Sequence, residues 1–149
     1  MDIPDLFSPA AFLGRACTML SSSAQQELCR YAAYLLTRQR QTEAMQTIFQ
    51  DEQMTRSLKQ LTGSCTLAEA SADIQALERR YYSLLQKIEE KYAPFSITPD
   101  GFELARDLGN MAFENIGRAL LKGNPQQIAF ELREFQQMFR QLSEKAASC

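Results

Sequence analysis

Between positions 67 and 88 the apolar residues are Leu67, Ala70, Ile74, Leu77, Tyr81, Leu84 and Ile88, separated alternately by three and four positions. That spacing keeps every one of them on one face of an α-helix and on neither face of a strand. Thr66 and Glu69 are placed as a capping box at the start. Ala93-Pro94 stops the helix at about Tyr92, because the residue before a proline is pushed out of helical backbone. The resulting seam is narrow, of coiled-coil type. It can pack antiparallel inside one domain or join two chains. Three heptads are short for a dimer seam, so packing inside the domain is favoured.

The rest of the chain reads the same way. Ser8-Pro9 puts a capping hydroxyl before a proline at the first helical position, with Phe7 and Phe12 placed as a hydrophobic staple. A short helix to about Leu20 follows, with Phe12, Leu13, Ala16 and Leu20 expected in the core. Another, over about 51–62, is capped by Asp51, closed by Gly63, and buries Met54, Leu58 and Leu61.

Thr98-Pro99 opens a helix that Gly123 ends, and Asn124-Pro125 starts the last helix at once. Residues 98–147 therefore form an αα-hairpin with a tight turn. In its first arm, Phe102, Ala105, Gly109, Ala112, Phe113, Ile116 and Leu120 share an arc that Leu104, Leu108 and Met111 widen beyond half the circumference. Such a helix is expected at the centre, with Ala105, Gly109 and Ala112 allowing close approach of a neighbour. The second arm presents Ile128, Leu132, Phe135, Phe139 and Leu142 as one stripe, with Phe130 pointing away.

The segment from Ser22 is less regular. Ser22 or Ser23 can cap a helix containing Leu28, Tyr31, Ala32 and Leu35. The stripe should continue at Arg38, Gln39, Thr42, Met45 and Phe49, and Arg38 and Gln39 interrupt it inside the polar run 37–42. Without glycine or proline to break it, one continuous helix is expected. Arg38 occupies a position where an apolar residue should be buried, and a buried charge is costly unless paired. Three outcomes follow: an exposed Arg38, a pair within the domain, or a groove where Arg38 awaits an acidic group, with Tyr31 and Tyr34 as its aromatic side.

The chain contains no valine and no sustained alternation, which argues against any sheet. The expected fold is all-α, a single-domain antiparallel helical bundle of five to six helices over residues 1–149. Residues 1–7 form an N-terminal extension and 148–149 a frayed end. With 45% hydrophobic residues, 149 residues suffice to bury about 68–70% of the unfolded surface.

Sixteen basic residues against eighteen acidic ones, with no basic run beyond Arg79-Arg80, lack the clustered cations that nucleic acid requires. The longest apolar run is the six residues from Tyr31 to Leu36, far below the about 20 of a membrane span. The N-terminus is acidic where a secretory leader is basic. Cys17, Cys29, Cys65 and Cys149 form neither a zinc-site nor a disulfide pattern, so reduced thiols in the cytoplasm are expected.

There is no histidine. This removes Ser-His and Cys-His nucleophiles and His-ligated metals. Glu103, Asp107 and Glu114 share a face but read as a solvated stripe. No catalytic residue, cofactor or metal is expected. Tyrosine and arginine are favoured at interface hot spots. Tyr31, Tyr34, Tyr81 and Tyr82, with Arg38, are the candidate partner-binding residues. The expected function is therefore a non-enzymatic protein-interaction module — an adaptor, secretion chaperone or regulatory subunit — whose partner is another protein or a second copy of itself. The alternative is a domain that binds a small or lipid-like ligand in an apolar pocket lined by Phe102, Phe113, Phe135 and Phe139.

Overall fold

The structure, a computed structural model, describes residues 8–63, 67–95, 97 and 103–148. It is an all-α helical bundle with no strand among the described residues. The six helices are α1 (Pro9–Met19), α2 (Ser22–Phe49), α3 (Glu52–Gly63), α4 (Leu67–Tyr92), α5 (Glu103–Lys122) and α6 (Pro125–Ala147). A short 3₁₀ turn, Ala93–Phe95, follows α4. Where the sequence suggests one domain, the chain divides into two compact units, Met1–Leu36 and Thr37–Cys149. Helix α2 begins in the first and ends in the second.

In the first unit, Ser8 caps α1 by accepting a hydrogen bond from the Ala11 N–H, and Ser21 caps α2 by accepting from Ala24. The cap of α2 is thus one residue earlier than the expected Ser22 or Ser23. The Gln25 side-chain amide donates to the Cys17 carbonyl and ties the two helices together. The core role expected for Phe12, Leu13, Ala16 and Leu20 is not realised, since α1 buries none of its residues. The proposed staple partner Phe7 lies outside the described residues. An amphipathic stripe shows that a helix has an apolar face, and it says nothing about what covers that face.

In the second unit α3, α4, α5 and α6 pack as a ring, α4 against α3 and α5, α6 against α3 and α5. Every described residue of the α4 stripe is buried: Ala70, Ile74, Leu77, Tyr81, Leu84 and Ile88, joined by Leu85 and Tyr92. The seam packs inside the unit. The Thr66 capping box lies outside the described residues, as do Thr98-Pro99 and Phe102. Met54, Leu58 and Leu61 of α3 are buried, and the Asp51 carboxylate accepts from the Met54 N–H at 3.0 Å.

Helices α5 and α6 turn at Gly123, whose φ of 64° is left-handed backbone that glycine adopts without a Cβ penalty. The Asn124 side chain then accepts from the N–H groups of Gln126 and Gln127. At the far end of α6 Ser148, expected to fray, donates its N–H to the Lys145 carbonyl at 3.3 Å.

An aromatic chain runs through this core. Tyr81 packs edge-on to Phe113 (5.7 Å), Phe113 to Phe135 (5.2 Å), Phe135 to Phe139 (6.1 Å) and Phe139 to Phe49 (5.2 Å). Edge-to-face pairs of this kind contribute about 0.5–1.5 kcal/mol each beyond area burial. They tie α4, α5, α6 and the end of α2 to one another.

Two expectations for the helices need correction. The buried stripe in the second half of α2 is Arg40, Ala44, Ile48 and Phe49, not Arg38, Gln39, Thr42 and Met45. At roughly 100° per residue, Arg40, Ala44 and Ile48 share one face of the helix, and Arg38 is turned about 160° from Arg40. Helix α5 is not apolar on most buried sides: Leu104, Met111 and Leu121 are exposed. In a ring of four each helix has one inner face and two flanks, so residues on the outer face stay uncovered.

Candidate interaction surfaces

The residues singled out from the sequence separate sharply. Tyr81 is fully buried, and its hydroxyl donates to the Ala105 carbonyl. Burial pushes its phenol well above the ordinary value, with the neighbouring Tyr82 adding to the rise. It is therefore a core residue and not part of a partner surface. Tyr82 is half-buried and donates to the Asn110 side chain. It lines a polar groove of about 470 Å³ between α4 and α5, where Glu89 pairs with Arg106. Tyr31 and Tyr34 are exposed on the first unit with rings stacked 6.4 Å apart. Arg38 is exposed and belongs to the second unit.

The buried cation of α2 is Arg40, which sequence reasoning passed over. Its Nη1 donates to the Ile97 carbonyl at 3.5 Å. Nearby, Glu43 accepts from Lys91 and from the Tyr92 hydroxyl, which also accepts from Gln39. The Lys91 hydrogen bond, with that of Tyr92, holds the Glu43 carboxyl below its ordinary value. This network fastens the end of α4 to α2.

Phe113, Phe135 and Phe139, expected to line a ligand pocket, are buried against one another and fill the interior. A surface depression of about 120 Å³ reaches Phe139, and Phe135 also lines an open groove of about 510 Å³ between α5 and α6. Close packing of this kind leaves little space for an enclosed ligand. In the carboxylate stripe of α5, Asp107 and Glu114 are exposed, and Glu114 pairs with Arg118 one turn on. Among the described residues no three His, Cys, Asp or Glu side chains group as metal ligands, and no helix is long and apolar enough to cross a membrane.

Exposed large apolar side chains gather at two places among the described residues. One is the N-terminal helix pair, where Phe12, Met19, Tyr31 and Tyr34 are all more than half exposed. The other is an open groove of about 510 Å³ along α5 and α6. Met111, Phe130, Phe135 and Met138 supply its large apolar side chains, Asn115, Gln137 and Gln141 its neutral polar ones, and its charged residues, Glu131 and Glu134, are both acidic. Phe130 reads as a stray surface residue in the sequence, and Met111 as part of a core arc. A signal did exist: Phe130 and Met138 stand eight positions apart, about two turns, and so share a second face of α6. Only the packing of α5 beside that face brings Met111 to it.

The chain matches no known protein family, no curated protein and no solved structure.

Proposed function

We propose that this chain is a non-enzymatic protein-interaction module of the adaptor, secretion-chaperone or regulatory-subunit kind, acting in the cytoplasm, and that its α5–α6 groove receives an amphipathic helix with basic flanks from a partner protein. The supporting observation is the groove itself. Its apolar lining is two methionines, two phenylalanines and Ala112, the methionines able to adapt to a helix face, while its charged rim is acidic throughout. A basic flank on the incoming helix meets Glu131 and Glu134, which favours association and selects against acidic partners.

The test compares wild type with Phe130→Glu as bait in the native host, and then by titration against a synthetic basic amphipathic helix and its Lys→Glu counterpart. Phe130 is half exposed, so the variant should melt within about 2 °C of wild type and still bind at least about tenfold more weakly. Equal binding by the variant, or equal binding of the acidic peptide, removes the groove from consideration.

A further inference from the structure

Helices α3 and α6 pack on each other within the second unit, and a surface depression of about 120 Å³ lies between them. Its apolar lining is Leu58 of α3 and Phe139 of α6, both otherwise buried in the core. Its charged residues are Lys59 and Arg140, one exposed cation from each helix. Thr55, Gln136 and Ser143 add neutral hydrogen-bonding groups, and among the described residues no acidic side chain lines it.

Five other cations of this unit, Arg56, Arg80, Lys91, Arg106 and Arg118, each pair with a carboxylate. Lys59 and Arg140 have no such pair among the described residues. An unpaired surface cation is ordinary by itself. Here two of them, from two helices, flank one opening onto the apolar core.

That combination limits the occupant. Two cations without an acid favour an anion, and a guanidinium receives a carboxylate through two parallel hydrogen bonds. Leu58 and Phe139 add an apolar demand that a bare inorganic anion does not meet. The volume sets an upper size. Sites for drug-sized ligands hold about 300–1,000 Å³. The depression holds about 120 Å³, the share of about four water molecules, which is room for one side chain and not for an acyl tail. The C-terminus of a polypeptide meets all three conditions. Its last residue carries a carboxylate and an apolar side chain on one carbon, and the rest of the chain leads away into solvent. An internal aspartate or glutamate has the carboxylate without the apolar branch. Capture of a terminal carboxylate is a recurring mode of peptide recognition.

We propose that the α3–α6 depression binds the free C-terminus of a partner polypeptide ending in an apolar residue of about leucine size. Lys59 and Arg140 hold the carboxylate, and Leu58 and Phe139 receive the side chain. This stands independently of the α5–α6 groove, whose lining shares no residue with the depression.

Titration of the isotope-labelled full chain, followed by amide chemical shifts, tests it with the acetylated tripeptide Ac-Ala-Ala-Leu as probe. Saturable shifts should gather on residues 55–59 and 136–143, with a Kd on the order of 1 mM for so small a ligand. The same tripeptide with an amidated C-terminus should bind at least about tenfold more weakly, because the charge that the two cations recognise is gone. Acetate, which lacks the side chain, should be weaker by a similar factor. Lys59→Gln/Arg140→Gln changes two exposed residues, so it should melt within about 2 °C of wild type while binding the tripeptide at least about tenfold more weakly. Phe130→Glu should bind the tripeptide as wild type does, so failure of the groove proposal and failure of this one are read separately. Absence of saturable shifts up to about 20 mM peptide, well above the Kd expected of such a ligand, overturns the proposal. So does equal binding of the amidated peptide, equal binding of acetate, or undiminished binding by the double variant.

Discussion

Gly109 faces the ring of Tyr81 so closely that a Cβ built on it would meet Cε1 and lie 2.9 Å from Cδ1. The ring cannot retreat, because Tyr81 is fully buried and its hydroxyl is held by the Ala105 carbonyl one turn earlier on the same helix. In an open helix Gly→Ala stabilises by about 1 kcal/mol. Here overpacking costs about 1–3 kcal/mol and wins. Gly109→Ala should therefore lower Tm by roughly 2–6 °C in a scanning calorimeter, while Gly117→Ala, with open space around its Cβ, should raise it slightly. An unchanged or higher Tm for Gly109→Ala would show that the helices separate without cost.

Tyr81 also carries a pH dependence. Burial, with Tyr82 beside it, raises its folded-state pKa above the unfolded value near 10. The folded chain thus keeps a proton that the unfolded chain releases. The stabilisation is complete below pH 10 and is lost as pH rises through the alkaline range. Tyr81→Phe cannot ionise in either state, so its stability should fall less steeply above pH 10. The variant should still lose about 0.5–1.5 kcal/mol at neutral pH from the missing hydrogen bond. Denaturant titrations at pH 7 and pH 11 measure both, and parallel losses in wild type and variant would contradict the assignment.

At the scale of the element, α3 shows how one side chain can serve two helices. Asp51 caps α3 through the Met54 N–H and grips Arg80 of α4 at 2.8 and 3.2 Å. Burial alone would raise its carboxyl, but the Arg80 hydrogen bonds, the Met54 N–H and the charges of Arg80 and Lys87 together hold it below the ordinary value. A depressed carboxylate stabilises the fold above its unfolded pKa, and the contribution is lost as pH falls through the acid range. Asp51→Ala should cost about 1–3 kcal/mol by urea unfolding at pH 7, the sum of a lost cap and a partly shielded ion pair. Asp51→Asn keeps a capping oxygen and should cost less, with a shallower loss of stability below pH 4. If the two variants were equally damaging, the charge rather than the cap would carry the effect. Asp51 as a cap is visible in the sequence, because a cap is a local matter of one side chain and the next turn. Arg80 as its partner is not, since 29 positions separate them and only the packing of α3 on α4 closes the gap.

At the scale of the whole molecule, apolar burial divides unevenly between the two units. The second holds Tyr81, Ile116 and Phe135 at the centre of a closed ring, whereas α1 of the first buries nothing. Amide exchange should follow that division. Amides around Tyr81, Ile116 and Phe135 should exchange only on global opening, at least about 100-fold more slowly than those of α1 in dilute solution. Equal protection of both units would contradict that division.

The sequence by itself determined which segments are helical and which face of each is apolar. These are properties of a window of about a dozen residues: the three-and-four spacing of α4, the Ser8, Asp51 and Asn124 caps, the Gly123 stop, the stripe of α6. Only the tertiary structure decided what each apolar face meets. The stripe of α4 is buried among neighbours, while in the stripe Phe12–Leu20, as regular in sequence, Phe12, Leu13 and Leu20 are exposed and Ala16 is half-buried. Tyr81 and Tyr82 are adjacent in the chain, yet one fills the core and the other lines a groove, because roughly 100° of helix rotation separates them. Arg38 and Arg40 exchange roles for the same reason, the second turning inward to the Ile97 carbonyl. Hydrophobic attraction carries no direction or address, so a periodic stripe specifies that a face seeks cover. Which helix, groove or second chain provides that cover depends on how the elements pack.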